Sequence, residues 1–277
     1  MKKLLIFYIV LIGYTNGAYP HPVFGENGMV VSTSRQASIA GIEILKKGGN
    51  AIDAACATGF VLAVTSSSNG NIGGGGFMVV HKENSKIFTL DYREIAPAGS
   101  HRDMFLDSNG EVIDNMSLRT RAASGVPGSV DGLLKAWRDH GSDNISRREL
   151  LAPAIALAER GFELTHYEAK RFNNNKGLFL NNDAATKIFI RGDRKPWKAG
   201  DRFIQKDLAR TLKRIAREGR DGFYTGKTAN LIIAEMNRGI GLITHEDLLN
   251  YESKYRDPMI GSFKEYEIIS MGLPSSG

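Results

Sequence analysis

The stretch Asn71-Ile72-Gly73-Gly74-Gly75-Gly76-Phe77-Met78-Val79-Val80 decides how this chain folds. Its four consecutive glycines carry no side chains, so other backbone or a ligand can approach closely, and positive φ costs them nothing. The apolar residues after them read as a strand, and 86–92 reads as a second, joined by the polar turn 81–85. The pattern predicts a β-hairpin approached through glycine, with Arg93 where its second strand ends. A phosphate-binding loop would close its glycines with Gly-Lys-Ser/Thr, and Phe77-Met78 stands there instead. A dinucleotide fingerprint follows a strand and opens a helix, whereas this run follows a helical pattern and opens a strand. The glycines are therefore expected to let a strand pack tightly beneath another layer.

On the N-terminal side, 29–32 reads as a short strand. Residues 36–47 place Ala37, Ala40, Ile44 and Leu45 on one helical face, and Gly48-Gly49 ends that helix. A mostly apolar helix over 51–64 follows, with Ala54, Ala55, Ala57, Gly59 and Ala63 small enough for close packing. On the C-terminal side helices are expected over 129–140, 147–160, 165–176, 206–218, 227–237 and 247–251. Pro153 is expected early in its helix, where proline is tolerated. Residues 263–270 read as a returning strand. Strands, then helices, then a strand give an α+β class rather than regular βαβ winding.

Lys2 and Lys3 precede an apolar run over 4–12, and 13–18 are small or polar, the order of a secretory signal peptide. The run is shorter than the roughly 20 residues that span a bilayer. Residues 1–18 are thus expected to be cleaved, leaving 19–277 as an exported (periplasmic or secreted) chain with no membrane span. Cys56 is the sole cysteine, so no intrachain disulfide can form. Its small apolar neighbours predict a packed, inert thiol. The net charge of +6 becomes +4 once Lys2 and Lys3 are removed. The densest basic stretch, 206–220, interleaves with Leu208, Leu212 and Ile215 at helical spacing and reads as a solvated face. It has no stacking aromatics, which argues against nucleic acid as a partner.

Arg93 is the side chain best suited to chemistry. A guanidinium pairs bidentately with a carboxylate, and at a strand end it could hold the α-carboxylate of an amino-acid substrate. The alternative is a plain salt bridge with Asp91 or Glu94. The six histidines, His21, His81, His101, His140, His166 and His245, show no metal-ligand spacing and are expected on surfaces or loops. Ser275 and Ser276 lack the Gly-x-Ser-x-Gly frame of a nucleophile elbow. No metal or cofactor is expected.

Taken in order, several segments resemble the N-terminal signatures of γ-glutamyltransferases. They are Gly48-Gly49-Asn50-Ala51-Ile52-Asp53-Ala54-Ala55, Asn71 through Phe77, and Asp91-Tyr92-Arg93-Glu94-Ile95-Ala96-Pro97. Asp103-Met104-Phe105, Ser124-Gly125-Val126-Pro127-Gly128-Ser129-Val130, Gly241-Leu242-Ile243-Thr244, Asp247-Leu248 and Pro274-Ser275-Ser276-Gly277 continue the likeness. The chain departs from the family at Thr65-Ser66-Ser67-Ser68-Asn69-Gly70-Asn71, where a proline is usual.

The resemblance implies an N-terminal nucleophile hydrolase fold, a four-layer αββα sandwich of which this chain would hold an incomplete, large-subunit part. It implies a precursor that cleaves itself into large and small subunits. The small subunit's new N-terminal threonine attacks the γ-amide of glutathione and related compounds. Water or an acceptor amino acid or peptide then takes the γ-glutamyl group. Arg93 matches the arginine that binds the glutamyl α-carboxylate. The nucleophile, the oxyanion glycines and the acidic partner of the amino group fall beyond Gly277, so no catalytic residue is expected within this chain. Ending at Leu273-Pro274-Ser275-Ser276-Gly277 with no closing helix or strand, the chain reads as interrupted, and alone it is expected to be inactive and aggregation-prone because sheet surface is left uncovered. Two other readings stand beside this one: a β-lactam (cephalosporin) acylase of the same superfamily, and a non-catalytic exported amino-acid-binding module.

Overall fold

The computed structural model describes residues 22–83 and 86–276, so the expected signal segment 1–18 and His21 lie outside the described residues. The elements run α1 (Arg35–Lys46), α2 (Ala51–Thr65), β1 (Phe77–His81), β2 (Ile87–Asp91), a single turn α3 (Met116–Arg119), α4 (Ser129–His140) and α5 (Arg147–Arg160). They continue with β3 (Phe162–Glu163), α6 (His166–Asn174), α7 (Lys176–Leu180), α8 (Asp183–Phe189), β4 (Arg202–Phe203) and α9 (Lys206–Glu218). Last come α10 (Asp221–Tyr224), α11 (Gly226–Met236), α12 (His245–Asn250), β5 (Lys254–Arg256), β6 (Met259–Phe263) and β7 (Tyr266–Ser270).

Helix α2 is the centre of the molecule. Asn50 caps it by accepting from the Ile52 and Asp53 amides at 2.9 and 3.0 Å. Asp53 returns the favour from the Asn50 amide at 2.8 Å, closing a capping box. Eleven of its fifteen residues are buried, so it is apolar nearly all round, as a core helix must be. Gly59 lets α4 approach, since a β-carbon there would meet Leu133 at 3.0 Å. Helix α1 packs on an adjoining face, where Thr58 donates to the Ala37 carbonyl. Helix α5 is closed by the box of Ser146 and Glu149 and buries Leu150, Leu151, Ala154 and Ala158.

One face of a three-stranded antiparallel sheet, ordered β1-β2-β5, lies against these helices. The register sets Met78 opposite Leu90 and Val80 opposite Phe88, and all four pack into the core. Phe77, Val79, Thr89 and Asp91 alternate onto the other face. Helix layered on sheet is what an αββα sandwich requires of one half, and the class is α+β as expected.

Four expectations need correction. Residues 29–32 form no strand, because no neighbour pairs with them: Val30 fills the space over Gly41 while Val31 is exposed. Residues 263–270 are not one strand. They hold the end of β6, a turn at Lys264, and β7, with Phe263 opposite Tyr266. Lys264 adopts a φ of 55°, unusual for a residue other than glycine, so no glycine marks the turn. Pro153 stands mid-helix rather than early, where it removes a ladder bond. The cap and the four buried side chains of α5 hold the helix around it. Finally, two helices rather than a strand open the described chain.

Candidate functional site

The glycine run does what its sequence predicts. Gly76 continues the ladder past β1, exchanging backbone hydrogen bonds with Tyr92 at 3.2 and 3.0 Å. Gly75 then passes over the main chain that follows β2. A β-carbon on it would stand 2.7 Å from the Glu94 nitrogen and 2.9 Å from the Arg93 carbonyl carbon. The Gly74 carbonyl accepts from the Gly128 and Ser129 amides at 2.8 and 2.9 Å, at the N-terminus of α4. Those donors have no partner inside their own helix, so the glycine run supplies one. Gly132 lets the Tyr92 ring lie directly on α4.

Arg93 sits at the focus of these contacts. Its amide donates to Asp91 Oδ1 at 2.9 Å, and its carbonyl accepts from the Tyr251 hydroxyl at 2.9 Å. Asp91 is itself anchored, with Oδ2 accepting from Arg256 Nε at 2.7 Å across the sheet. The Arg93 backbone is thus fixed on three sides while its side chain is 56% exposed. The guanidinium Nη1 lies 3.1 Å from Glu94 Oε2, which makes no hydrogen bond, so their contact is Coulombic. Of the two partners raised from sequence, Glu94 holds the guanidinium and Asp91 the amide.

Tyr251, Asp131 and Arg220 were not singled out by their sequence. Asp131 is buried in α4 and accepts from Ser253 N, Ser253 Oγ and Arg220 Nε at 2.8, 2.6 and 2.9 Å. Arg220 also donates to the Tyr251 carbonyl at 2.6 Å and stacks over Tyr224 at 4.5 Å. Such partners lie far apart in sequence, Tyr251 being 158 positions from Arg93, so no local pattern announces them.

The other candidates are placed as follows. Cys56 is fully buried, and burial, aided by the nearby charge of Asp53, pushes its thiol far above the ordinary value. His140 departs from the surface or loop expectation: it ends α4 half-buried, stacked on Phe88 at 4.0 Å with Tyr255 edge-on. Burial, and then the Lys82 ammonium, lower its pKa. Among the described residues no group of His, Cys, Asp and Glu is arranged to hold a metal ion, and no helix is long and apolar enough to cross a membrane.

A layered helix-on-sheet chain with a glycine run packed under a strand-end arginine has the fold of N-terminal nucleophile hydrolases, and solved structures share it. The crystal structure of Helicobacter pylori γ-glutamyltranspeptidase superimposes with a TM-score of 0.89 at 41% identity, covering 92% of this chain and 73% of that one. The γ-glutamyltranspeptidase family pattern matches residues 37–277, and the chain belongs to that family. It is 41% identical over 256 residues to the glutathione hydrolase proenzyme of Pseudomonas sp. (strain A14), which is 92% of this chain and 44% of that protein. It is 36% identical over 261 residues to the acylase ACY 1 proenzyme of Pseudomonas sp. (strain SE83), 92% of this chain and 46% of that protein. The chain thus spans less than half the length of these curated relatives.

Proposed function

We propose that this chain supplies the large-subunit part of a γ-glutamyltransferase (glutathione hydrolase) and that Arg93 docks the α-carboxylate of the γ-glutamyl donor. The observation that carries this is a guanidinium whose main chain is pinned by Gly75, Asp91 and Tyr251 while its head remains open to solvent. The contact with the buried Glu94 Oε2 uses one nitrogen of the guanidinium, and the remaining donors of its fork are left for a substrate carboxylate. The fixed backbone confines the ordering needed on binding to the arginine side chain itself.

The chemistry follows from that docking. A threonine hydroxyl from the small subunit of the same precursor attacks the γ-carbonyl carbon, activated by its own α-amine. The amide C–N bond breaks, the leaving amine takes up the hydroxyl proton, and a γ-glutamyl ester remains on the enzyme. Water releases glutamate, or an acceptor amine forms a new γ-amide. Arg93 contributes position: holding one end of the glutamyl group places its γ-carbonyl beside the nucleophile. Export follows from the signal segment at 1–18, and glutathione with other γ-glutamyl compounds are the substrates.

The likeness to an acylase favours a second reading of the same site. A glutaryl group is a γ-glutamyl group without its α-amine, so its free carboxylate presents the same face to Arg93. That arginine cannot separate the two substrates. The complete gene product, assayed on glutathione and on a glutaryl-cephalosporin, decides between them. Turnover of glutathione, with two fragments in place of one precursor mass, supports the proposal. Turnover of the glutaryl-cephalosporin alone assigns the acylase.

A further inference from the structure

The hydroxyl of Tyr251 reaches the Arg93 main chain on its carbonyl side. It donates to the Arg93 carbonyl at 2.9 Å from a side chain that is 2% exposed. Burial, followed by the charges of Asp131, Asp91 and Glu94, raises the phenol well above its ordinary value, so it stays a neutral donor. Its own placement is overdetermined. The ring stacks on Tyr224 at 5.8 Å and 7°, and its carbonyl is held by Arg220, which Asp131 anchors in turn. Gly128 makes room for the hydroxyl, because a β-carbon there would collide with it.

On the other side of Arg93 the amide is held by Asp91, so two hydrogen bonds fix the peptide groups flanking its α-carbon. Removing the Asp91 side would also disturb the sheet through Arg256. Removing the Tyr251 hydroxyl touches little besides Arg93. We propose that Tyr251 is a positioning residue for donor binding: its hydroxyl sets the Arg93 main chain so that the guanidinium meets the donor's α-carboxylate. This rests on the reading of Arg93 given above.

The test uses the complete gene product and two variants, Arg93→Ala and Tyr251→Phe, with a γ-glutamyl anilide as donor and a dipeptide as acceptor. Phenylalanine keeps the ring that stacks on Tyr224. The expected result for Tyr251→Phe is a donor KM raised about three- to tenfold, the size of one lost hydrogen bond, with kcat and acceptor KM within about twofold. Arg93→Ala is expected to raise donor KM further. An unchanged donor KM in Tyr251→Phe, beside a raised one in Arg93→Ala, overturns the role of Tyr251 alone. An unchanged donor KM in Arg93→Ala overturns the reading of Arg93 and this proposal with it. Loss of folding in Tyr251→Phe, or equal damage to donor and acceptor steps, also counts against it, because Tyr251 would then be a general structural residue.

Discussion

Gly75 lies against the main chain of Arg93 so closely that a β-carbon would come within 2.9 Å of the Arg93 carbonyl carbon. The atoms it would strike are backbone, held in the ladder and by Asp91, and cannot swing aside as a flexible side chain would. The closeness ties the glycine run to the arginine's main chain.

Gly75→Ala is therefore expected to overpack the site. Such insertions cost about 1–3 kcal/mol, and the shift falls on Arg93 itself. A lowered thermal midpoint together with a raised donor KM is the expected outcome. Ala tolerated at 75 with both unchanged removes the argument from close packing.

Asp91→Ala removes the acceptor for the Arg93 amide and the partner of Arg256. The loss of two hydrogen bonds to a carboxylate, one of them also an ion pair, predicts destabilisation of about 2–4 kcal/mol. Chemical denaturation measures it. A change within the usual range of neutral surface substitutions would show that neither bond is important.

Cys56 is expected to be silent toward thiol reagents in the folded protein. The thiolate is the reactive form, and burial beside Asp53 opposes it. Ellman's reagent should react only after denaturation, and rapid modification of the native protein would contradict the packing described for α2.

His140 predicts a pH dependence of stability. The folded protein holds it below its ordinary value of 6.5, through burial and Lys82, so the unfolded chain takes up the proton first as pH falls. Its contribution is complete above that value and is lost as pH drops through it toward the folded pKa. The thermal midpoint should fall less between about pH 7.5 and about pH 5.5 in His140→Phe than in the parent protein. Equal falls in both would show that His140 does not carry the effect.

The elements that position the site were largely legible in sequence because their signals are local. Gly48-Gly49 spells a helix stop, and α1 ends just before it; the capping box that Asn50 and Asp53 form at α2 emerged only in the structure. The hairpin over β1 and β2 followed from an apolar run, a polar turn and a second run, and its antiparallel register puts Arg93 just past its end. The misses have a common physical origin. A stretch such as 29–32 has strand-like composition but no partner to complete a ladder, and partnership is a tertiary property. The turn at Lys264 uses a backbone conformation that its residue type does not advertise. Tyr251 acts through one hydrogen bond, and Asp131 through three, to distant chain segments, which no spacing rule reports. Arg93 itself was legible as a candidate only: the sequence left its salt bridge and its substrate role side by side, and the structure contains the Glu94 pair with the arginine side chain more than half exposed.

The central claim is that the Arg93 guanidinium receives the donor's α-carboxylate. Comparing Arg93→Ala with the parent in the complete gene product, using glutathione as donor, tests it most directly. The expected result is a fall in kcat/KM of about a hundredfold or more, mostly through KM, as befits a lost charge-assisted clamp, with kcat declining too if alignment suffers. An unchanged kcat/KM for glutathione would take Arg93 out of the site.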